Sequence, residues 1–160
     1  MRVTHLAFVL PLSLANLSLA QDGVPVDSVV LKRKPAMCPG CSIPDVVLRR
    51  HELPSWILDS VDIRARHAGF YQLPVAVLGK VPWCKSVMSD AVMATLSIYR
   101  GASVATVQGY HHCLGGYPRA TSDPPVPVEK QRLLDLESLI DSAARRTGRF
   151  QTRQPNERSS

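Results

Sequence analysis

Apolar and polar positions alternate in short, differently patterned stretches that prolines and glycines separate. A run rich in β-branched residues, Ser28 to Leu31, predicts a strand. Val46-Val47-Leu48 is a second apolar run ahead of Arg49-Arg50, and Pro54 breaks any helix that would span it. Val61, Ile63 and Ala65 alternate with Asp62, Arg64 and Arg66, which by period-two counting is a half-buried strand. Leu73 to Lys80 reads as another strand, closed by Gly79-Lys80. Residues 86–110 fit two templates. Met88, Val92, Leu96 and Tyr99 mark a helical face after Ser86, with Gly101 as stop, whereas Val92, Ala94, Leu96 and Ile98 mark a strand that turns at Arg100-Gly101 into Val104 to Val107. The helix is taken for the first half and the strand for the second. The clearest element is Val128 to Thr147, where Leu133, Leu136, Ile140 and Ala143/Ala144 share a face. Gly148 stands where a helix-ending glycine belongs, and Arg145 and Arg146 complement the dipole in its last turn.

The first twenty residues follow another logic. Met1-Arg2-Val3-Thr4-His5 is a short basic stretch, Leu6 to Leu19 is apolar, and Ser18-Leu19-Ala20 places small residues at −3 and −1 before Gln21. This is the layout of a cleavable secretory signal, and the mature chain is expected outside the producing cell. No second apolar stretch approaches the roughly 20 residues that span a bilayer, so no membrane contact is expected after cleavage. The expected organisation is a signal peptide over 1–20, a polar segment over 21–36, a core domain over 37–117, a proline-rich linker over 118–127, an amphipathic helix over 128–148 and a disordered basic tail over 149–160. Lys32-Arg33-Lys34, in an apparently exposed stretch, reads as a solvated charge cluster or a dibasic processing site.

Composition narrows the function classes. Of 160 residues, 45% are hydrophobic and 20% charged, enough apolar material for one folded domain. Nineteen basic against thirteen acidic side chains give a formal +6. That is a moderate excess rather than a nucleic-acid-binding stripe. Five arginines against Glu157 give residues 145–160 a net +4, but only Phe150 offers a stacking ring, which disfavours nucleic acid. No G-x-S-x-G, no H-E-x-x-H and no acidic pair in an apolar setting is recognisable, so no hydrolase machinery and no cofactor is expected.

The four cysteines, Cys38, Cys41, Cys84 and Cys113, carry the candidate chemistry. In an oxidising compartment they read as two disulfides with three possible connectivities. A Cys84–Cys113 bridge closes a loop worth about 3 kcal/mol, whereas Cys38–Cys41 constrains almost nothing. Structural roles for Cys38 and Cys41 therefore imply that each pairs with Cys84 or Cys113. In the alternative, Cys38-Pro39-Gly40-Cys41 is a redox dithiol, with Cys38 as nucleophile and Cys41 as resolving thiol. As a third reading, Cys38, Cys41, Cys84, His111 and Cys113 supply tetrahedral zinc ligands, although zinc needs reduced thiols. His111 and His112 are otherwise read as surface or interface histidines.

Cys38-Pro39-Gly40-Cys41 followed by His67 to Lys80 resembles glutaredoxin-like and selenoprotein-W-like chains over residues 28–81, which implies a thioredoxin-like oxidoreductase. The combination of a signal ending Ser18-Leu19-Ala20, a short mature chain and an even set of few cysteines resembles small secreted effector-like proteins of filamentous fungi. Within it, Cys84 and Cys113 bracketing Tyr99 to Val107 is similar to the compact β-sandwich avirulence and ToxB-like effectors. The fold expected is α+β, a disulfide-stabilised sheet with a C-terminal amphipathic helix. The function expected is a secreted non-enzymatic interaction protein whose partner is an unidentified protein, a host protein included.

Overall fold

The computed structural model describes residues 23–35, 43–84, 92–113 and 126–151. The expected signal segment, Cys38, Cys41 and most of the expected linker and tail lie outside them. The fold is α+β. Five strands, β1 (Ser28–Lys34), β2 (Asp45–Arg49), β3 (Met93–Arg100), β4 (Ser103–Gln108) and β5 (Phe150–Gln151), form an antiparallel sheet in the order β4-β3-β1-β2-β5. Two helices, α1 (Ser55–His67) and α2 (Val128–Thr147), pack against one face of it.

Alternation within each strand sets that face. Val29 and Leu31 of β1, Val46 and Leu48 of β2, Ala94, Leu96 and Ile98 of β3, and Val107 of β4 are all buried. They meet Ile57, Leu58, Val61 and Ala65 of α1 and Leu133, Leu136, Ile140 and Ala144 of α2 in one core. Each fully buried Leu or Ile contributes roughly 1.5–3 kcal/mol relative to exposure. The core therefore starts at Val26 and takes in α2, which corrects the expected boundaries. The supposedly polar segment before residue 37 holds the central strand, hydrogen-bonded on both sides. The tail begins no earlier than 152, because Phe150 pairs with Val46 and Gln151 with Asp45.

Local readings changed for identifiable reasons. Residues 55–67 are helical rather than extended. Val61 and Ala65 are also four apart, so the helical period accounts for them, and Ile63, which a strand would bury beside them, is 67% exposed. The helix starts directly after Pro54, where a fixed φ suits a helix start. Leu73 to Lys80 is not a strand: Ala76 makes one isolated parallel bridge to Gln108 and the chain then turns, with Gly79 N–H bonding Cys84 O. Residues 93–100 are strand β3 rather than helix, because β1 and β4 flank it on both sides. The tight turn to β4 is held by the Asp27 carboxylate, which accepts from the Gly101 N–H. α2 matches its expected bounds, and Gly148 ends it in the left-handed conformation with φ 67°.

The opposite face of the sheet carries Ser28, Val30, Lys32 and Lys34 of β1, the alternate residues of the neighbouring strands, and no covering element among the described residues. Among the described residues there is one sheet, backed by helices, where the sandwich resemblance implies two packed sheets.

Candidate functional site

The charged residue at the centre of the fold is Glu137. The helical stripe Lys130, Leu133, Glu137, Ile140, Ala144 faces inward, so the helix period itself drives this carboxylate into the core. β1 supplies its counter-charge. Arg33 has the inward parity of Val29 and Leu31, and its Nε donates to Glu137 Oε1 while its two terminal nitrogens reach both oxygens of Asp141 at 3.1 and 2.7 Å. The turn after β4 completes the cluster. Gly109, at φ 81°, lets the chain leave β4 in a conformation that a side chain would strain. Tyr110 then donates its hydroxyl to Glu137 Oε2 at 2.9 Å, and a ring nitrogen of His111 lies 2.6 Å from the same oxygen. Lys130 Nζ donates to Cys113 O at 2.6 Å, tying the end of that turn to α2.

Electrostatics follow from burial and pairing. Burial alone would raise the Glu137 carboxyl, but the His111 bond and the Arg33 charge outweigh it and hold the group below its ordinary value. Burial and the neighbouring Glu137 push the Tyr110 hydroxyl well above its ordinary value. Burial would lower the Arg33 guanidinium, and its bonds to Asp141 and Glu137 raise it instead. Lys130 is lowered by burial. With both oxygens of Glu137 engaged by buried or nearly buried donors, this cluster fastens turn, strand and helix together rather than presenting a reactive group.

A second cluster sits at the opposite end of the inner face. Arg100, only 5% exposed, bonds Asp62, the Tyr71 hydroxyl at 3.0 Å and Val24 O at 2.9 Å. Its guanidinium lies 4.9 Å from the centre of the Tyr71 ring, and the Tyr71 hydroxyl donates to Asp62 at 2.7 Å. Burial first, and Asp62 after it, push that hydroxyl up to about 12. A small cleft beside it is lined by Tyr71, Ile98, Arg100, Ser103, Val104 and Ala105.

Cys84 and Cys113 are joined in a disulfide with Cα atoms 4.8 Å apart, bracketing β3 and β4. This corrects the expectation that Cys38 and Cys41 each pair with one of them. The zinc set does not assemble either, because sulfurs bonded to each other are not thiolates. No group of three potential metal ligands occurs among the described residues. Cys38 and Cys41 lie outside the described residues, in the chain between β1 and β2. The thioredoxin-like reading needs a helix N-terminus directly after the motif to activate the thiol. The next element here is a strand, antiparallel to β1, and α1 starts only at Ser55. His111 is held by Glu137 at 15% side-chain exposure instead of lying on the surface, while the His112 side chain is outside the described set. The basic triplet is not a solvated cluster either, since Arg33 is buried in its ion pairs and only Lys32 and Lys34 are exposed. A processing enzyme needs an extended, unpaired substrate, and this is the middle strand of the sheet.

Tyr110, Glu137 and Asp141 were not singled out by sequence patterns, and Arg33 only as one member of the basic triplet. The available signal was a charge standing at an apolar-stripe position, Glu137, and a second at inward strand parity, Arg33. No helix among the described residues is long and apolar enough to cross a membrane. Comparison with protein-family models, curated proteins and solved structures finds no match to this chain.

Proposed function

We propose that the chain is a secreted, non-enzymatic interaction protein, effector-like, acting outside the producing cell or in a host. The observation that supports this reading is the distribution of its groups. The ionisable side chains of the interior bond one another or backbone carbonyls, while apolar side chains stand exposed on two separate surfaces. Trp56 and Ile63, two turns apart on α1, are 59% and 67% exposed, and Met93, Tyr99 and Val104 are exposed on the outer sheet face. Exposed apolar groups set among polar ones are the usual substance of protein contacts. The signal layout of residues 1–20 and the Cys84–Cys113 bond accord with an oxidising, extracytoplasmic address.

The test places a photo-crosslinking residue at Trp56 or at Tyr99 of the mature chain. The variants are exposed to the extracellular fraction of the producing cells and to extracts of an organism on which they grow. A discrete adduct that unlabelled protein competes away is expected from at least one position. Insulin reduction by dithiothreitol should run no faster with the protein present. Absence of a competed adduct from both positions, or accelerated insulin reduction, overturns the proposal.

A further inference from the structure

The outer face of the sheet is the second of the two exposed surfaces, and its register can be read across four strands. Thr106 of β4, Ser97 of β3, Val30 of β1 and Val47 of β2 form one continuous row. Val104, Tyr99, Ser28 and Arg49 form the next. On the other side of the first row, Gln108 stands opposite Thr95 and Thr95 opposite Lys32, and beyond them Met93 is opposite Lys34. The Ser97 and Thr106 hydroxyls bond each other at 2.9 Å, closing the polar centre of the face. The result is an outer face of valine, threonine and serine with one methionine and one tyrosine, and with cations along β1.

Charge on this face is predominantly positive. The outward positions of β1 to β4 carry Lys32, Lys34 and Arg49, and a single carboxylate, Asp45. Arg49 is paired with Glu52 at 3.2 Å, so the cations left facing outward are the two exposed lysines. A second copy would set these lysines against like charge. A lipid surface is a poor match, because membrane-seated faces insert protruding Trp, Phe or Leu, and apart from Met93 and Tyr99 this one offers short Val, Thr and Ser side chains.

Resting on the reading of the chain as an interaction protein, we infer that the outer sheet face docks an acidic protein surface. The carboxylates of that surface meet Lys32 and Lys34, and its apolar part covers Val30, Val47 and Tyr99. Complementary charge of this kind steers encounter and fixes orientation, and the apolar side chains beside the Ser97–Thr106 pair supply the desolvated contact.

The probe is poly-L-glutamate at low salt, added to uniformly labelled mature protein and followed by amide shifts. The expected shifts cluster on β1, β3 and β4, and the double variant Lys32→Glu/Lys34→Glu weakens binding by about tenfold with an unchanged melting curve. Trp56→Ala should bind as wild type does. Shifts centred instead on Arg145 and Arg146 of α2, or equal weakening by Arg145→Glu/Arg146→Glu, would mean unspecific charge attraction and overturn the assignment. So would tight binding to phosphatidylserine vesicles that Lys32→Glu/Lys34→Glu abolishes. If the crosslinker at Trp56 captures a partner and the one at Tyr99 does not, the docking face is wrong while the interaction function stands.

Discussion

Arg33 of the central strand and Glu137 of α2 are 104 residues apart in sequence and share a direct side-chain ion pair beneath the sheet. The pair joins the first strand of the chain to its last helix, and through Tyr110 and His111 it also holds the turn that carries Cys113.

Removing one partner should therefore cost more than a surface ion pair does. Arg33→Met leaves Glu137 and Asp141 without their cation, and we expect a loss of about 3 kcal/mol in urea unfolding, the low end for a broken buried pair because Asp141 is partly exposed. The double variant Arg33→Met/Glu137→Met should recover part of that loss, since no buried charge is then left alone. A single-variant cost below about 1 kcal/mol, the scale of exposed pairs, would show that the pair is solvated.

The same cluster sets the response to pH. The folded state holds the Glu137 carboxyl below its ordinary value of 4.5, so its contribution is complete above that value and is lost as pH falls through the folded one. The melting temperature should drop on acidification below about pH 4.5, and less so in Glu137→Gln, which starts lower. At the alkaline end the sign reverses. Tyr71 and Tyr110 are both raised above 10.0, so the unfolded chain ionises first and stability declines as pH rises past 10.0. Calorimetric melts from pH 3 to 11 check both limbs, and a flat acid limb would contradict the Glu137 assignment.

Helix α2 makes a separate case. Leu136 is fully buried in the apolar core, so Leu136→Asp places a charge among apolar side chains. We expect a loss of several kcal/mol, as for other unpaired buried charges, and a clear fall in melting temperature. An unchanged melt would mean that the helix stands free of the core.

What could be read in advance depended on how local the determining interactions are. α2 was legible because twenty residues repeat one face and Gly148 marks the end. β1 and the β3–β4 turn were legible in part, from β-branched runs and Arg100-Gly101. The first half of β3 was not, because Val92, Leu96 and Tyr99 satisfy a helical period as well as a strand, and only pairing with β1 and β4 decides between them. α1 was misread for the converse reason: five alternating residues also lie on a helix, and the exposed Ile63 gives no local sign of its exposure. The polar network was invisible as a whole, since Arg33 looked like one member of a basic triplet. Its partners come from a helix that folds against it across most of the chain. The Cys84–Cys113 pairing was one of three connectivities, and the position of β3 and β4 between the two cysteines selects it.

That pairing gives the last prediction. Cys84–Cys113 closes a loop with a sequence separation of 29, worth about 3 kcal/mol through the unfolded chain. Cys113 also sits beside the Lys130 bond to its carbonyl, so losing the cross-link frees the turn that carries Tyr110 and His111. Cys84→Ser should lower stability by about 3 kcal/mol and weaken the acid limb of the melting profile, because the His111 bond to Glu137 loosens with the turn. Cys38→Ser leaves this bridge in place. A bond from Cys38 to Cys41 would close only a two-residue gap, so the substitution should move stability by no more than about 0.5 kcal/mol. Urea unfolding of the two variants, with disulfide mapping by mass spectrometry, separates the cases. A large loss in Cys38→Ser with a small one in Cys84→Ser would reverse the assignment of which cysteines hold the fold together.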